Sequence, residues 1–179
     1  MTSVHISDIA SWCNIDFKNP GSNPLCNHVS LCINGKPIRH LTISNGVEKI
    51  GDNAFHSCSS LVSVKIGNSV KHIGEMVFIG CENLTSVKIG DSVETISSSA
   101  FVGSHIKTIE LGKNLKNVGY MVFVFCNINT VVCHAEEPPL VEYNNLGAMI
   151  PILYVPKHSI RKYKLTEAWG GCEKILPIK

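Results

Sequence analysis

The chain has 179 residues, 44% of them hydrophobic, and a formal net charge of +2. This composition supports a folded core and excludes a chain that is disordered throughout. No Lys/Arg cluster alternates with aromatic residues, which excludes a nucleic-acid-binding surface. No run approaches the roughly 18 apolar residues that span a bilayer, so no membrane-spanning segment is predicted.

The first residues lack the basic and apolar segments of a signal peptide, as would a secreted protein without its leader. They read "TSVHISDIA" over residues 2–10, which agrees with "TSVKIGDSV" over residues 85–93 at Thr, Ser, Val, Ile and Asp. Residues 1–11 are therefore interpreted as the strand half of a repeat. We expect the chain to begin inside a longer array.

Residues 12–37 interrupt this pattern. They contain "LCINGKPI", in which the pair Asn34-Gly35 stands between apolar alternations and favours a tight hairpin. The sequence therefore predicts a hairpin-bearing insertion that rejoins the repeat at Ile38.

Regular repeats occupy residues 38–133. Successive copies start at Ile38, Leu61, Leu84 and Ile106, with a partial copy at Ile128, so the steps are 23, 23, 22 and 22 residues. The shorter copies lose one residue at a single place, where "CEN" becomes "SH" or "CN". A length change confined to one point indicates a surface turn.

Apolar residues recur in five columns of the aligned copies. Two columns are separated by two residues, the alternation of a strand with one buried face, and the others follow at fixed offsets. The columns are Leu41, Val64, Val87, Ile109, Val131; Ile43, Ile66, Ile89, Leu111; Val47, Val70, Val93, Leu115; Ile50, Ile73, Ile96, Val118; and Phe55, Phe78, Phe101, Phe123. One copy cannot bury these residues alone, so the copies are expected to stack into one continuous core.

Each copy is predicted to contain a main strand, a turn with Gly and Asn, a second short strand and a single helical turn that ends at the phenylalanine. The fold class is therefore mainly β with short helical turns, an α/β solenoid of 22–23-residue units. The whole chain, 1–179, is interpreted as one solenoid domain.

Residues 134–179 are predicted to form a C-terminal cap, because an open solenoid end exposes its core. The stretch "LYVP" indicates a strand stopped by Pro156, and Ser159 is a candidate N-cap for a helix carrying Ile160 and Tyr163. Trp169 and "EKILPI" are expected to cover the last coil.

The pattern L-x-x-V-x-I-G-x-x-V-x-x-I-G-x-x-A-F-x-x-C resembles the BspA-like leucine-rich repeats of bacterial surface proteins, and the flanking segments resemble the same family. The chain departs from ordinary leucine-rich repeats by lacking a continuous Asn ladder. The resemblance implies a leucine-rich repeat solenoid with a C-terminal cap. It also implies a non-enzymatic protein-binding or adhesion module of a cell-surface or secreted bacterial protein, with a host matrix or cell-surface protein as partner. The alternative is a structural spacer with no ligand of its own.

The candidate binding residues are the outward positions of the main strand, which pave one face of a sheet together with His40 and Thr42. They are Ser63, Lys65, Ser86, Lys88, Thr108, Glu110 and Thr130. Such a flat polar face suits a macromolecule, and the competing interpretation is an ordinary solvated surface. No catalytic motif or metal-ligand spacing occurs, so no catalytic residue, metal or cofactor is predicted, and we do not expect an enzyme.

Eight cysteines are many for a cytosolic chain and few for a disulfide scaffold, and none forms a C-x-x-C pair. Cys58, Cys81 and Cys126 share one column with Ser104. We interpret this column as small, buried, reduced residues that fill a narrow corner, the alternative being a metal or redox site.

Two further columns are notable. Charges alternate in sign along Glu48, Lys71, Glu94 and Lys116, which predicts opposite-charge pairs between neighbouring coils. Ile79, Val102, Val124 and Phe125 follow the phenylalanine column and are expected to form a partly exposed apolar strip.

Overall fold

The structure is a computed structural model that describes residues 3–26, 29–142 and 150–179. Residues 1–2, 27–28 and 143–149 lie outside the described residues, and with them the ends or interiors of the predicted partial repeat, insertion and cap.

The N-terminal part forms a small three-stranded sheet. Its elements are β1 (Ser3–Ile6), α1 (Ile9–Cys13), a 3-10 helix (Pro20–Ser22), β2 (Ser30–Ile33) and β3 (Lys36–Pro37). Strand β1 pairs in parallel with β2, as neighbouring coils do, and β2 pairs antiparallel with β3. The hairpin predicted at Asn34-Gly35 is present, and both residues have positive φ, 50° and 74°. That conformation is the one required by a two-residue turn.

The main sheet is parallel and has seven strands within the described residues. They are β4 (His40–Ile43), β6 (Ser63–Ile66), β8 (Ser86–Lys88), β10 (Thr108–Leu111), β12 (Thr130–Cys133), β14 (Ile152–Val155) and β15 (Lys174–Pro177), in that spatial order. The neighbouring strands of consecutive coils pair without slippage, so residues of one sequence column lie side by side. The solenoid predicted from the repeat is therefore confirmed.

In the part of the chain that the structure describes, a second parallel sheet contains five two-residue strands. They are β5 (Lys49–Ile50), β7 (His72–Ile73), β9 (Thr95–Ile96), β11 (Asn117–Val118) and β13 (Leu140–Val141). The core lies between the two sheets and the phenylalanine column. Phe55, Phe78, Phe101 and Phe123 are at most 1% exposed, and their rings stack with centroids 5.3, 5.3 and 5.8 Å apart. This burial makes the column a large contributor to stability.

The prediction of a helical turn before each phenylalanine is wrong. These segments are turns whose N–H groups bond to the next coil: Phe55 N–H donates to Val77 O at 3.0 Å, and Phe78 N–H to Ala100 O at 2.8 Å. Donors committed to a neighbouring coil cannot make the i to i−4 bonds of a helix. One residue of each turn is also left-handed, with φ between 53° and 58°, at Asn53, Met76, Ser99 and Met121.

Glycines at the end of the main strands allow the coils to approach closely. A Cβ added at Gly67, Gly90 or Gly112 would lie 2.7, 2.6 or 2.2 Å from a carbonyl oxygen of the preceding coil. The sequence analysis explained these glycines by the bend of the turn that follows the main strand. The structure shows a steric reason instead, since φ at these three positions is not in the left-handed region.

The C-terminal part continues the main sheet with β14 and β15 and adds α2 (Ile160–Lys164) and α3 (Glu167–Gly170). Tyr163 and Trp169 are fully buried, and the Trp169 indole donates to Pro139 O at 2.8 Å. Ser159 does not act as the predicted side-chain cap: its hydroxyl is buried and has no partner among the described residues. A 3-10 turn, Lys157–Ser159, leads directly into α2 and takes the place of that cap.

Candidate protein-interaction face

The outward side chains of the main sheet form two straight rows, because successive residues of a strand point to opposite faces and the strands pair in register. Row one contains His40, Ser63, Ser86, Thr108, Thr130, Ile152 and Lys174. Row two contains Thr42, Lys65, Lys88, Glu110, Val132, Tyr154 and Leu176. We call the two rows together the strand face.

The structure brings all seven predicted binding residues together on the strand face. Lys65, Ser86, Lys88 and Thr108 are exposed, whereas Ser63, Glu110 and Thr130 are half-buried. Their side chains are therefore available to a partner in solution.

An ion-paired cluster lies in the middle of the strand face. Glu110 Oε1 accepts a hydrogen bond from Lys88 Nζ at 2.8 Å and lies 3.0 Å from His134 Nε2. The hydrogen bond from Lys88 is the main reason why the pKa of Glu110 lies below its ordinary value, and His134 adds to the effect against partial burial. Lys65, by contrast, makes no ion pair within the described part of the chain.

A shallow cleft of about 380 Å³ opens beside this cluster. Its lining includes Gly90 and Asp91 together with the three residues of the cluster, Lys88, Glu110 and His134. The cleft gives the otherwise flat face a local depression.

The strand face becomes apolar toward its C-terminal end. Val132, Ile152, Tyr154 and Leu176 continue the two rows on β12, β14 and β15, and all four are half-buried. Sequence reasoning missed Ile152, Tyr154 and Leu176 because "LYVP" and "EKILPI" were assigned to a cap rather than to the same sheet, and it did not include Val132, although that residue lies in the repeat region. The residues of β14 are half-buried, buried, half-buried and buried in turn, but this alternation is visible only in the structure, because all four residues are apolar.

The cysteine column is a hydrogen-bonded ladder. Cys81 Sγ donates to Phe55 O at 3.2 Å, Ser104 Oγ to Phe78 O at 2.8 Å, and Cys126 Sγ to Phe101 O at 3.1 Å. Ser104 thus replaces a cysteine with another small donor. Burial raises the pKa of Cys126 to about 12 and that of Cys81 well above its ordinary value. Thiols held protonated and buried are poor nucleophiles and metal ligands, which favours the structural interpretation.

The other two predicted columns are present in modified form. Of the alternating charges, Lys116 and Glu94 form an ion pair of 2.8 Å, and no such pair joins Glu48 to Lys71 among the described residues. In the apolar strip, Ile79, Val102 and Val124 are half-buried and Phe125 is 79% exposed. Phe125 has φ +60° at the position where two other coils have Gly80 and Gly103.

The geometry offers limited chemistry. His40 Nδ1 lies 2.8 Å from Ser63 Oγ on the strand face, yet no carboxylate contacts His40 within the described residues. A Ser–His pair acts as a nucleophile and base when a third group orients the imidazole. No carboxylate of the described residues does this for His40, so the pair with Ser63 is not a catalytic arrangement of that kind. In residues 3–26, 29–142 and 150–179, no three His, Cys, Asp or Glu side chains are close enough to hold a metal ion. No helix described there has the length and hydropathy to cross a membrane.

Comparisons with known proteins agree with this architecture. A leucine-rich repeat protein from Eubacterium ventriosum superposes with a TM-score of 0.61 at 16% identity, over 82% of this chain and 38% of that protein. The leucine-rich repeat protein of T. pallidum superposes with a TM-score of 0.52 at 22% identity, over 83% of this chain and 69% of that protein. At these identities the likeness concerns the fold alone. This chain covers well under half of the first protein's length.

No curated protein matches the sequence significantly. The family model for the BspA type leucine rich repeat region matches residues 30–138 with six copies. Such repeats imply a protein-interaction or scaffold module and are generally not enzymes. The matched segment is more than half of the chain, and the chain therefore belongs to the BspA-type leucine-rich repeat family.

Proposed function

We propose that the chain is a non-enzymatic protein-binding module of a bacterial cell-surface or secreted protein, and that it binds its partner through the strand face. The partner class is a protein, for example a host matrix or cell-surface protein, and the role is adhesion. Membership in a family of interaction and scaffold repeats supports a binding role.

The observation that carries the proposal is the register of the main sheet. In-register pairing places Lys65, Lys88 and Glu110 in one row and the Ser and Thr hydroxyls in the row beside it. This makes a broad grid of hydrogen-bond donors and acceptors on rigid strands. Repeat proteins use such extended surfaces for large partners, whereas small molecules require a deeper pocket.

The experiment measures binding of the chain to a panel of matrix proteins by surface plasmon resonance. The main variant is Lys65→Glu, because Lys65 is exposed and has no ion pair to break. We expect binding to at least one protein and, for Lys65→Glu, a loss of about tenfold or more, as for a charge reversal at an interface. Lys88→Glu is less clean, since it also places a second carboxylate beside Glu110.

The matched control is Lys71→Glu, the same charge change in the same coil but outside the strand face. Equal effects of Lys65→Glu and Lys71→Glu would place the site elsewhere. A chain that folds and binds no macromolecule in the panel would support the alternative, a structural spacer.

A further inference from the structure

The apolar end of the strand face is continuous with its charged end, and this arrangement indicates which side chains a partner segment presents. We infer that the strand face binds an extended segment of a partner protein in which apolar side chains lie four to six residues from an acidic one. This inference rests on the proposed function and specifies the chemistry of the partner at the same face.

The apolar end consists of Val132, Ile152, Tyr154 and Leu176. In parallel register, Val132 lies beside Tyr154, and Tyr154 beside Leu176, so the three form one uninterrupted patch across β12, β14 and β15. Each is only half-buried, although the residues pointing inward from the same strands, Val131 and Leu153, are at most 1% exposed. Covering the patch with apolar side chains would remove this remaining surface from water, which is favourable.

The charge of the strand face selects the sign of the partner. Its outward side chains include three lysines, Lys65, Lys88 and Lys174, and one acidic residue, Glu110. Lys88 is already paired with Glu110, whereas neither Lys65 nor Lys174 is paired within the described residues. Glu110 lies beside Val132 but is already paired with Lys88, and the net charge of the outward side chains is positive. A partner carboxylate is therefore favoured and a partner cation is repelled.

The spacing follows from the sheet. From β6, which carries Lys65, to β12, which carries Val132, there are three strand steps, or about 14 Å at roughly 4.8 Å each. One further step reaches Tyr154 on β14, about 19 Å from Lys65. An extended segment rises roughly 3.3 Å per residue, so these distances correspond to about four and six residues.

The shape of the strand face favours an extended segment over a helix. From β6 to β12, row one consists of the short side chains Ser63, Ser86, Thr108 and Thr130, beside the longer lysines and glutamate of row two. The rows are two residues apart along the strands, or about 7 Å. This spacing between the rows is smaller than the diameter of a helix, about 10 Å, and is sufficient for one extended chain.

The experiment selects peptides without assuming a partner. Random twelve-residue peptides displayed on phage are first depleted on a double variant, Val132→Ser with Tyr154→Ser, and then selected on the wild-type chain. We expect enriched peptides to contain an aromatic or aliphatic residue with Asp or Glu four to six positions away. No enrichment, or enrichment of basic peptides, would overturn the inference. Circular dichroism checks that the double variant is folded. If the double variant does not fold, the Lys65→Glu variant is used for the depletion step.

Binding of one enriched synthetic peptide is then measured by calorimetry. Lys65→Glu and Tyr154→Ser should each weaken it about tenfold or more, corresponding to roughly 1.4 kcal/mol. Two control variants should change it less than about twofold: Lys71→Glu for charge, and Leu140→Ser, which removes a 73% exposed leucine outside the strand face. Equal losses in a variant and its control would overturn the inference.

The outcomes separate this inference from the proposed function. A matrix protein whose binding depends on Lys65 but not on Tyr154 would uphold the proposed function and overturn the inference. A chain that binds the enriched peptide but no protein of the panel would uphold the inference and remove the matrix-protein partner. Failure of both the panel and the selection would overturn both.

Discussion

The inner and outer faces of the same strands differ in how strongly the fold constrains them. On β6, Val64 and Ile66 are 2% exposed and are repeated as β-branched or Leu residues in neighbouring coils. The residues that alternate with them, Ser63 and Lys65, point outward and are replaced along the rows by Thr, Glu, Val and Tyr. The inner face is set by stacking, since each residue packs on its own equivalent. The outer face is free to vary, and specificity for a partner can reside there.

The largest test of this contrast removes one inner side chain. Phe101 is fully buried between Phe78 and Phe123, and Phe101→Ala should lower the free energy of unfolding by about 3–5 kcal/mol through lost burial and a cavity. Chemical denaturation measures this. A loss below about 1 kcal/mol would contradict the stacked column.

A second test concerns the glycines at the end of the main strands, Gly67, Gly90 and Gly112. A Cβ at Gly112 would lie 2.2 Å from Gly90 O, a backbone atom that cannot move without shifting its coil. Gly112→Ala should therefore destabilise the chain by about 2 kcal/mol or more, despite the higher conformational entropy of glycine in the unfolded state. Gly171→Ala, where the added Cβ meets nothing within 4 Å, is the control. Equal unfolding midpoints would show that the coils separate easily.

The cysteine ladder predicts an order of variants. The Cys81→Ser variant keeps a side-chain donor for Phe55 O, as Ser104 provides one for Phe78 O. The Cys81→Ala variant removes the side-chain donor to Phe55 O. Cys81→Ala should therefore be the less stable of the two by about 1 kcal/mol. Thiol titration of the native protein should leave Cys58, Cys81 and Cys126 unreactive until denaturation. Stoichiometric zinc binding by these residues would contradict a structural role.

Phe125 lies in the turn that follows Phe123 and is 79% exposed, so it does not stack in the core as the inner-face residues do. Its φ of +60° is strained for an aromatic residue and natural for glycine, which two other coils have at this position. Phe125→Gly should therefore be more stable than Phe125→Ala by about 1 kcal/mol, the reverse of the usual order. Thermal unfolding of the two variants decides the sign.

The smallest effect is expected on the outer face. The pKa of Glu110 is lowered in the folded state, chiefly by Lys88, so its contribution is complete above its ordinary value of 4.5. It is lost as pH falls below that value through the folded pKa. Because Glu110 and Lys88 are 35% and 55% exposed, the contribution should stay below about 1 kcal/mol and shrink with salt. Glu110→Gln should flatten the stability profile in this acidic range, and an unchanged profile would show that the pair contributes nothing.

The sequence predicted what repetition makes visible. The five columns, the parallel stacking and the two rows of polar residues all follow from aligned copies, because the same packing problem recurs in each. The left-handed turns at Met76 and Met121 could not be predicted, since methionine carries no signal for that conformation. Tyr154 and Leu176 were missed for a different reason. The last two strands lack the turn glycines of the repeat, and their segments were therefore assigned to a cap.

The corner at which the copies change length has a practical consequence for protein engineering. One residue is missing before Ile106, yet Thr108 still pairs with Ser86, and Lys107 N–H donates to Thr85 O at 2.9 Å, as Thr85 N–H does to Val62 O. The pairing of the strands therefore does not depend on the number of residues in this turn. His105, which lies in the turn, is exposed. We expect a foreign loop inserted beside His105 to leave the neighbouring strands paired, which makes this turn a point at which the solenoid can carry a grafted epitope or a second domain.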